Sequence, residues 1–256
     1  MTFPAYISLF GYQIHPHLLF ESLAYTVGFQ TFLRTRKFWK HQAVPQQQNL
    51  WLIVGCIFGA LIGSKMLNML EMPLDYWAHR GDIAYWLEGK TIVGGYIGGW
   101  LGVEIVKKKL GITYATGDAY VFPLIIGTAI GRIGCFLSGL QDQTYGVPTS
   151  LPWGIDFGDG IPRHPAQLYE IVTVLAVGVY LLFRIRRPYV NGWLFRFYMF
   201  TYFLFRFLVE FIKPRYHPLG LSAIQIASLA GAIYCARIFL RDNPYNLPVN
   251  ERSSYV

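Results

Sequence analysis

Two arginines of this chain lie inside apolar segments that are long enough to cross a bilayer. Arg132 falls within Tyr120–Leu140, and Arg206 falls within Gly192–Ile212. An ionisable side chain at such a depth is costly and usually functional. Two such cations need an anion, which is either a lipid phosphate or a carboxylate on a neighbouring helix. A planar guanidinium suits phosphate because it can donate two parallel hydrogen bonds.

Two glutamates are spaced so that they could orient these arginines or pair with them. Glu210 lies one helical turn after Arg206, on the same helical face. Glu170 lies near the start of another apolar run and shares a face with Gln167, which precedes it by three residues. Ion pairing of the arginines and contact with a lipid phosphate both stay open. Glu210 is expected either to orient its arginine or to act as a base.

The histidines are candidate acids or bases, because the ordinary pKa of histidine lies nearest to neutral pH. His164 precedes Pro165 at the start of an apolar run. It is either a turn residue before a helix that begins with proline, or a base or phosphate donor. His15 and His17 resemble a metal-binding pair, but proline separates them and no third ligand follows. We predict no metal and no cofactor.

The composition is typical of a membrane protein. Of 256 residues, 54% are hydrophobic and 14% are charged, whereas about 25% are charged in soluble proteins. The net charge of +8 comes without a basic face that carries interleaved aromatic residues, which argues against a nucleic-acid partner. Three cysteines, Cys56, Cys135 and Cys235, lie in apolar runs without CxxC or Cys/His spacing. We therefore predict neither a disulfide framework nor a zinc site.

Apolar runs of roughly 17–22 residues indicate transmembrane helices, and this chain has seven candidates. We predict an all-α, polytopic membrane protein with one seven-helix domain over residues 1–241. Outer loops are expected at 71–90 and 141–164, and a disordered cytoplasmic tail at 242–256. The predicted spans are Leu18–Leu33, Leu50–Leu70, Thr91–Val106, Tyr120–Leu140, Pro165–Phe183, Gly192–Ile212 and Leu221–Leu240.

Lysine and arginine are divided unevenly between the two sides of this arrangement. Thirteen fall on one side and five on the other, and the more basic side is cytoplasmic by the positive-inside rule. The N-terminus is therefore expected outside and the C-terminus inside. A helical rise of about 1.5 Å per residue places Arg132, Arg206 and Lys65 roughly 18–22 Å above the inner surface. The intramembrane charges are thus expected to gather in the outer half of the bilayer.

Three segments resemble signature segments of bacterial prolipoprotein diacylglyceryl transferases. They are Gly131-Arg-Ile-Gly134 with Phe136, Pro162-Arg-His-Pro-Ala-Gln-Leu-Tyr-Glu170, and Phe205-Arg-Phe-Leu-Val-Glu210. Shorter likenesses occur in the family's order at Tyr25–Phe29, Val93–Gly98 and Gln225–Ser228. The resemblance implies a multi-pass enzyme of the bacterial inner membrane. Its partners would be phosphatidylglycerol and a preprolipoprotein signal peptide, whose lipobox cysteine thiol receives the diacylglyceryl group while glycerol phosphate leaves.

The resemblance also implies roles for individual residues. Catalysis is expected from Arg132, Arg206, Glu210 and His164. Binding of phosphatidylglycerol is expected from a wider set that adds polar side chains and a glycine pair: Arg132, Arg206, Lys65, Gln167, Glu170, Gly94 and Gly95.

The chain departs from the family pattern at positions that bear on catalysis. Val93 stands where the family has a histidine, and Cys135 stands where it has an asparagine. Valine cannot accept a proton, so in a catalytic chain the base has moved to His164, Glu210 or Glu21, or is not needed. The alternative function is that of a diverged protein that binds or moves phosphatidylglycerol without this catalysis, or that uses another acceptor.

Other departures have a structural and a functional interpretation. Lys65 replaces an arginine, and Glu21 replaces a tyrosine; the two could form a purely structural ion pair. The acidic segment Trp153–Gly160 is expected to form an outer loop or lid. A small-residue face favours close helix packing or a smooth wall for an acyl chain, and it consists of Gly94, Gly95, Gly98, Gly99 and Gly102.

Overall fold

The computed structural model describes residues 3–9, 11–36, 44–87, 89–187, 189–214 and 220–241, so the tail predicted at 242–256 lies outside the described residues. The described residues are predominantly helical, which confirms the helical class. The helices are α1 (Pro16–Thr35), α2 (Gln46–Glu71), α3 (Pro73–Ala78), α4 (Ile83–Leu87), α5 (Ile92–Leu110), α6 (Val121–Ser138), α7 (Ala166–Arg184), α8 (Trp193–Val209) and α9 (Ala223–Arg241).

Each of the seven predicted spans falls on one of the long helices, α1, α2 and α5 to α9. Within the described residues, three helices are long and apolar enough to cross a membrane: α2, α7, and α6 with its flanking 3-10 turns, Asp118–Asp142. A shorter apolar stretch, Ala223–Ile238, lies in α9. Large apolar side chains are exposed along α2, among them Ile57, Phe58 and Leu61. Such a continuous apolar surface is typical of contact with lipid or a partner protein.

Both predicted outer loops contain regular structure that the hydrophobic pattern does not show. Residues 71–90 hold α3 and α4; Pro73 lies in the first turn of α3, where its fixed φ is suitable. The carboxylate of Asp82 accepts hydrogen bonds from the amides of Ala84 and Tyr85 at 2.9 and 3.3 Å, at the start of α4. Pro73 and Asp82 thus start two short helices in a segment that the sequence predicts to be a loop.

Two antiparallel hairpins complete the described structure. Strands β1 (Ile7–Leu9) and β2 (Tyr12–Ile14) form one, and β3 (Ile155–Asp156) and β4 (Pro162–Arg163) form the other, inside the predicted loop 141–164. Phe157, 1% exposed, packs against the rings of Phe3 and Phe136. The second hairpin is therefore anchored to the end of α6.

Helix α8 is tied to the start of α6 by one carboxylate. Asp118, in the 3-10 turn before α6, accepts hydrogen bonds from the amides of Gly192 and Phe195 at 2.7 and 2.9 Å. Amides at a helix start lack intrahelical partners, so a carboxylate there both satisfies them and interacts favourably with the helix dipole. Gly192, with a φ of 85°, makes the left-handed turn into the helix. This cap fixes α8 beside α6.

Glycines bring α2 and α5 into backbone contact. A Cβ added at Gly98 would collide with the carbonyl oxygen of Gly59, and one at Gly94 would collide with that of Gly63. The four-residue spacing of these glycines is the pattern by which transmembrane helices approach closely. The packing interpretation of the glycine face is therefore confirmed for Gly94 and Gly98. Helix α5 ends at Gly111, whose φ of 69° is left-handed.

The hydrophobic core is centred on α6, α7 and α8, and the other long helices pack around these three. Helix α1 packs on α6, α6 on α7, and α8 on α9. Fully buried apolar side chains include Val121, Leu181, Leu194 and Phe203. Arg132, Glu170 and Arg206 lie on the faces of α6, α7 and α8 that meet in this core.

Candidate functional site

An ion-pair cluster joins α6, α7 and α8. Glu170 on α7 bridges two arginines: its Oε1 lies 3.0 Å from Nε of Arg132 on α6, and its Oε2 lies 3.2 Å from Nη1 of Arg206 on α8. Nη2 of Arg206 lies 3.0 Å from Oε2 of Glu210. The arginines that the sequence placed at matching depths therefore belong to one site, and they are bridged by a glutamate.

The charges in this cluster are buried to different degrees. The side chains of Arg206, Glu170 and Glu210 are 4%, 3% and 0% exposed, whereas that of Arg132 is 11% exposed. Lys213 contributes a third cation, with Nζ 4.0 Å from Oε2 of Glu210. Of these side chains, that of Arg132 is the most accessible to an anionic ligand.

Helical spacing explains how α8 supplies its part of the site. Tyr198, Tyr202, Arg206 and Glu210 are each four residues apart and form one buried stripe. The hydroxyl of Tyr202 donates a 2.7 Å hydrogen bond to Oε1 of Glu170, which helps to hold the bridging carboxylate. Tyr202 is not among the residues predicted from the sequence, although its four-residue spacing before Arg206 places it on the same helical face.

A second layer of hydroxyl groups backs the cluster. The hydroxyl of Tyr96 on α5 lies 2.6 Å from Oγ1 of Thr128 and 2.8 Å from the hydroxyl of Tyr198. The rings of Tyr96 and Tyr202 are 4.8 Å apart in an edge contact. These contacts connect α5, α6 and α8 behind the bridging glutamate. They restrict the side-chain positions around it.

Gln167 leaves polar atoms in the interior without partners. It is 1% exposed, and neither its amide nitrogen nor its amide oxygen finds a hydrogen-bond partner among the described residues. Nε of Arg206 is likewise buried without a hydrogen-bond partner among the described residues. Leaving a buried polar group unpaired costs roughly 1–3 kcal/mol. The arrangement thus offers donors and an acceptor to a polar ligand.

His164 has no hydrogen bond to the cluster within the part of the chain that the structure describes. Among the described residues, its Nδ1 is 3.1 Å from the hydroxyl of Tyr169, which also accepts a 2.9 Å hydrogen bond from Nε1 of Trp153. The backbone amide of His164 donates to the carbonyl of Val147, whose amide donates to the carbonyl of Ile212. His164 is therefore linked through the backbone to the turn that contains Glu210.

The start of α7 differs by one residue from the prediction. Pro165 is the N-cap, and the helix begins at Ala166, whereas the sequence placed proline at the first helical position. Gln167 and Glu170 then fall in the first two turns and are both buried, as their three-residue spacing predicts. His164 and Pro165 therefore form the turn that leads from β4 into α7.

Of the predicted lipid-binding residues on α2 and α5, the two glycines lie at the contact between these helices. Gly94 packs against Gly63, whereas Gly95 is half-buried with more room around it. Lys65 is half-buried on α2. Val93, which replaces the family's histidine, is 0% exposed and packs in the apolar core. No proton-accepting group is therefore present at the position of that histidine.

Glu21 forms a separate polar group at the start of α1. Its Oε1 lies 3.3 Å from Nζ of Lys90 and accepts a 3.3 Å hydrogen bond from the hydroxyl of Tyr25. Its Oε2 lies 3.7 Å from Nε2 of His17. The ion-pair partner recorded for Glu21 is thus a lysine in the segment before α5, where the sequence had suggested Lys65.

The aspartates of the predicted lid have roles within the β3–β4 hairpin. Oδ1 of Asp156 accepts hydrogen bonds from the amides of three turn residues, Gly158, Asp159 and Gly160, at 2.8–3.1 Å. The carboxylate of Asp159 receives two 2.6 Å hydrogen bonds from the guanidinium of Arg163. Both carboxylates therefore stabilise the turn.

Comparison with known proteins shows which family the chain resembles. A sequence model of the family described as prolipoprotein diacylglyceryl transferase matches residues 4–241. Three similar curated proteins are each named phosphatidylglycerol–prolipoprotein diacylglyceryl transferase. The protein from Bordetella bronchiseptica is 35% identical over 69% of each chain. The Geobacter sulfurreducens protein is 33% identical over 87% of this chain and 88% of its own length, and a Nitratidesulfovibrio vulgaris protein is 32% identical over 76% and 74%.

Proposed function

The chain belongs to the prolipoprotein diacylglyceryl transferase family, and we propose that it transfers the diacylglyceryl group of phosphatidylglycerol to the lipobox cysteine thiol of a preprolipoprotein, releasing glycerol phosphate. The names of its relatives support these two substrates. The structural observation that carries the proposal is the buried cluster of Arg132, Glu170, Arg206 and Glu210, in which Arg132 is the most exposed side chain. A phosphodiester head group carries one negative charge and can accept hydrogen bonds from the guanidinium of Arg132.

The proposal includes a position in the bacterial inner membrane. Helices α1, α2 and α5 to α9 are the seven spans of one domain, residues 1–241, with the N-terminus outside and the C-terminus in the cytoplasm. The apolar surface of α2 supports the position in a membrane. The thirteen-to-five division of basic residues supports the orientation. The thiol acceptor then reaches the cluster from the outer side of the membrane.

The two arginines take different roles in this proposal. Arg132 is the more exposed, and its guanidinium has an ion-pair contact with one carboxylate, that of Glu170. It is the residue that binds the head-group phosphate. Arg206 is enclosed between Glu170 and Glu210, so it positions Glu170 and adds positive potential. A fixed cation aimed at the departing phosphate stabilises the transition state, because negative charge grows there as the carbon–oxygen bond breaks.

The reaction requires a thiolate. Its sulfur forms a bond to the glycerol carbon of the lipid, the bond from that carbon to the phosphate oxygen breaks, and the electron pair leaves with glycerol phosphate. At the ordinary cysteine pKa of roughly 8.5, only a few per cent of the thiol is ionised at pH 7. A base or a cation near the acceptor therefore accelerates the reaction.

His164 is the proposed base, and Glu210 is its competitor. Glu210 is engaged by Arg206, whereas the contact of the His164 ring is with the neutral hydroxyl of Tyr169. We expect His164→Ala to lower turnover at least about tenfold and to remove the rise of the rate with pH. A parent-like pH profile in His164→Ala, together with its loss in Glu210→Gln, would assign the base to the glutamate.

A lipid binder without transferase activity is the second candidate function. The observation that favours it is Val93, fully buried in the apolar core at the position of the family's histidine. The variant Val93→His separates the two functions. An inert parent that becomes active through this substitution would identify the chain as a diverged lipid binder. An active parent establishes that the histidine is dispensable here.

The direct test uses purified full-length protein, phosphatidylglycerol and a synthetic lipobox peptide. We expect mass spectrometry to show a diacylglyceryl adduct on the peptide cysteine, and no adduct on a peptide with serine in its place. The variant Arg132→Gln should lack the adduct. Absence of the adduct with the parent protein, under conditions in which it binds the lipid, would reject the transferase proposal.

A further inference from the structure

Three metal-ligating side chains meet where α1 and α6 come together. His17, Cys135 and Asp142 each present a ligand atom, and these atoms all lie within 4.8 Å of one another. Nδ1 of His17 is 2.8 Å from Oδ1 of Asp142. The ligands are 118 and 7 residues apart in the chain, so no sequence spacing could reveal the group. The sequence shows no ligand beside His17 that could complete a site, and the structure brings Cys135 of α6 and Asp142 of the following turn to it.

Local packing explains why these residues meet. His17 lies in the first turn of α1, and Cys135 lies in the last turn of α6. Gly134 permits the approach, because a Cβ there would lie 2.7 Å from Cβ of Phe20 and 3.4 Å from Cα of His17. The 3-10 turn that follows α6 then brings Asp142 back beside both ligands. The group is thus set by two helix ends and one turn.

We propose that His17, Cys135 and Asp142 form a binding site for a Zn²⁺-class transition metal. Thiolate, imidazole and carboxylate are all common zinc ligands, and three protein ligands with an open fourth position are typical of reactive zinc sites. Bond lengths of roughly 2.0–2.3 Å require ligand atoms about 3.3–3.8 Å apart in a tetrahedron. Side-chain movements of about 1 Å from the present separations satisfy this.

Hydrogen bonds from neighbouring side chains orient two of the proposed ligands, Asp142 and Cys135. Oγ1 of Thr144 donates a 2.6 Å hydrogen bond to Oδ2 of Asp142 and leaves Oδ1 toward His17. Nη1 of Arg132 donates to Sγ of Cys135 at 3.5 Å and orients this side chain. Outer contacts of this kind orient metal ligands and tune the bound metal.

A cleft that an acceptor could enter adjoins two of the three ligands. The His17 side chain is 41% exposed, whereas that of Asp142 is 10% exposed. The cleft measures about 560 Å³ and is lined by His15, His17, Leu18, Glu21, Gln141 and Asp142. Cys135, which Arg132 contacts, is buried and does not line it. A fourth ligand would therefore enter from the cleft.

The metal would supply what Val93 cannot, and this step rests on the proposed transferase function. A thiol that coordinates Zn²⁺ loses its proton to solvent and stays a nucleophilic thiolate. The lipobox thiolate at the fourth position would then attack the glycerol carbon of a lipid whose phosphate is held by Arg132, and the carbon–oxygen bond would break so that glycerol phosphate leaves with the electron pair. The metal site itself does not depend on this step, because its occupancy can be measured without turnover.

Cobalt titration tests the site on the full-length, detergent-solubilised protein freed of bound metal. Co²⁺ is the probe, because thiolate coordination gives a sulfur-to-cobalt charge-transfer band in the near ultraviolet. We expect one equivalent to bind and the band to appear. Cys135→Ser should lose the band, and so should Cys135→Asn, which carries the residue of the family and guards against a folding defect. Cys235→Ser and Cys56→Ser are the matched controls and should keep it.

Substitutions of the other two ligands, His17 and Asp142, test the site further. His17→Ala and Asp142→Asn should each weaken Co²⁺ binding at least about tenfold, since even outer contacts of metal ligands are worth 10–100-fold. A lipobox peptide should intensify the band, and its serine form should not. Absence of the band in the parent, or its persistence in Cys135→Ser, would overturn the metal site. A band that no peptide alters would keep the site and reject the acceptor step.

Discussion

Glu170 is the residue on which the site depends most, because its two carboxylate oxygens hold the guanidinium groups of Arg132 and Arg206. Removing it would leave two buried cations and Lys213 with Glu210 as the remaining carboxylate of the cluster. Breaking a buried ion pair by deleting one partner typically costs about 3–5 kcal/mol. The glutamate is therefore both a structural and a functional element of the site.

The different exposure of the two arginines leads to a prediction. Arg132→Gln should lower transfer at least about 100-fold and weaken binding of phosphatidylglycerol vesicles. Arg206→Gln should lower transfer while changing lipid binding less, because that guanidinium is enclosed by two glutamates. Arg237→Gln, at an exposed position on α9, is the control for loss of charge. Equal lipid affinity in the parent and Arg132→Gln would contradict the phosphate role.

Single residues show what the sequence could and could not establish. The sequence predicts that Arg132 and Arg206 lie at matching depths, and the structure joins both to Glu170 in one site. Tyr202 was missed because tyrosine in an apolar helix carries no charge to mark it. The group of His17, Cys135 and Asp142 could not be predicted, since it depends on how two helix ends come together.

The glycine contact between α2 and α5 yields a prediction about packing. Gly98→Ala should destabilise the protein by about 1–3 kcal/mol, the usual cost of overpacking, because its Cβ would meet the backbone of Gly59. Gly95→Ala, whose Cβ would lie 3.9 Å from that of Ser64, is the matched control. Thermal unfolding in detergent measures both. Equal stability of the two variants would show that the close approach is not needed.

The β3–β4 hairpin should depend on pH through one carboxylate. Two hydrogen bonds from Arg163 hold the pKa of Asp159 below its usual value. A lowered pKa in the folded state means that the pair stabilises the hairpin above the ordinary aspartate pKa of about 3.9. That contribution is lost as the pH falls through the lowered pKa.

Hydrogen exchange of the hairpin amides, corrected for intrinsic rates, measures this effect. Protection in the parent should fall in acid, while Asp159→Asn should show reduced protection at neutral pH and little further loss. Asp75→Asn, on exposed α3, is the control and should behave like the parent. Acid-independent protection in the parent would show that the pair contributes nothing to the hairpin.

The elements were predictable where a long hydrophobic pattern determines them. All seven predicted spans fall on helices, because runs of this length admit little else in an apolar solvent. The short helices α3 and α4 and both hairpins were not predicted. They depend on single caps and turns such as Asp82 and Asp156, and these leave no periodic signal.

The molecule as a whole should be oriented by its basic loops. Reporter fusions after Arg241 should be active only with a cytoplasmic reporter, because the sequence predicts thirteen of the basic loop residues on that side. A fusion in the β3–β4 hairpin should show the opposite behaviour. Activity of a periplasmic phosphatase fused after Arg241 would reverse the orientation and remove the depth argument for the charged cluster.

Transfer of the lipid group itself is the most direct test of the whole account. Phosphatidylglycerol labelled separately in its acyl chains and in its head-group glycerol is incubated with the protein and a lipobox peptide. We expect the acyl label to become covalently attached to the peptide cysteine. An equal amount of head-group label should be released as water-soluble glycerol phosphate. Lipid binding without either event would contradict it.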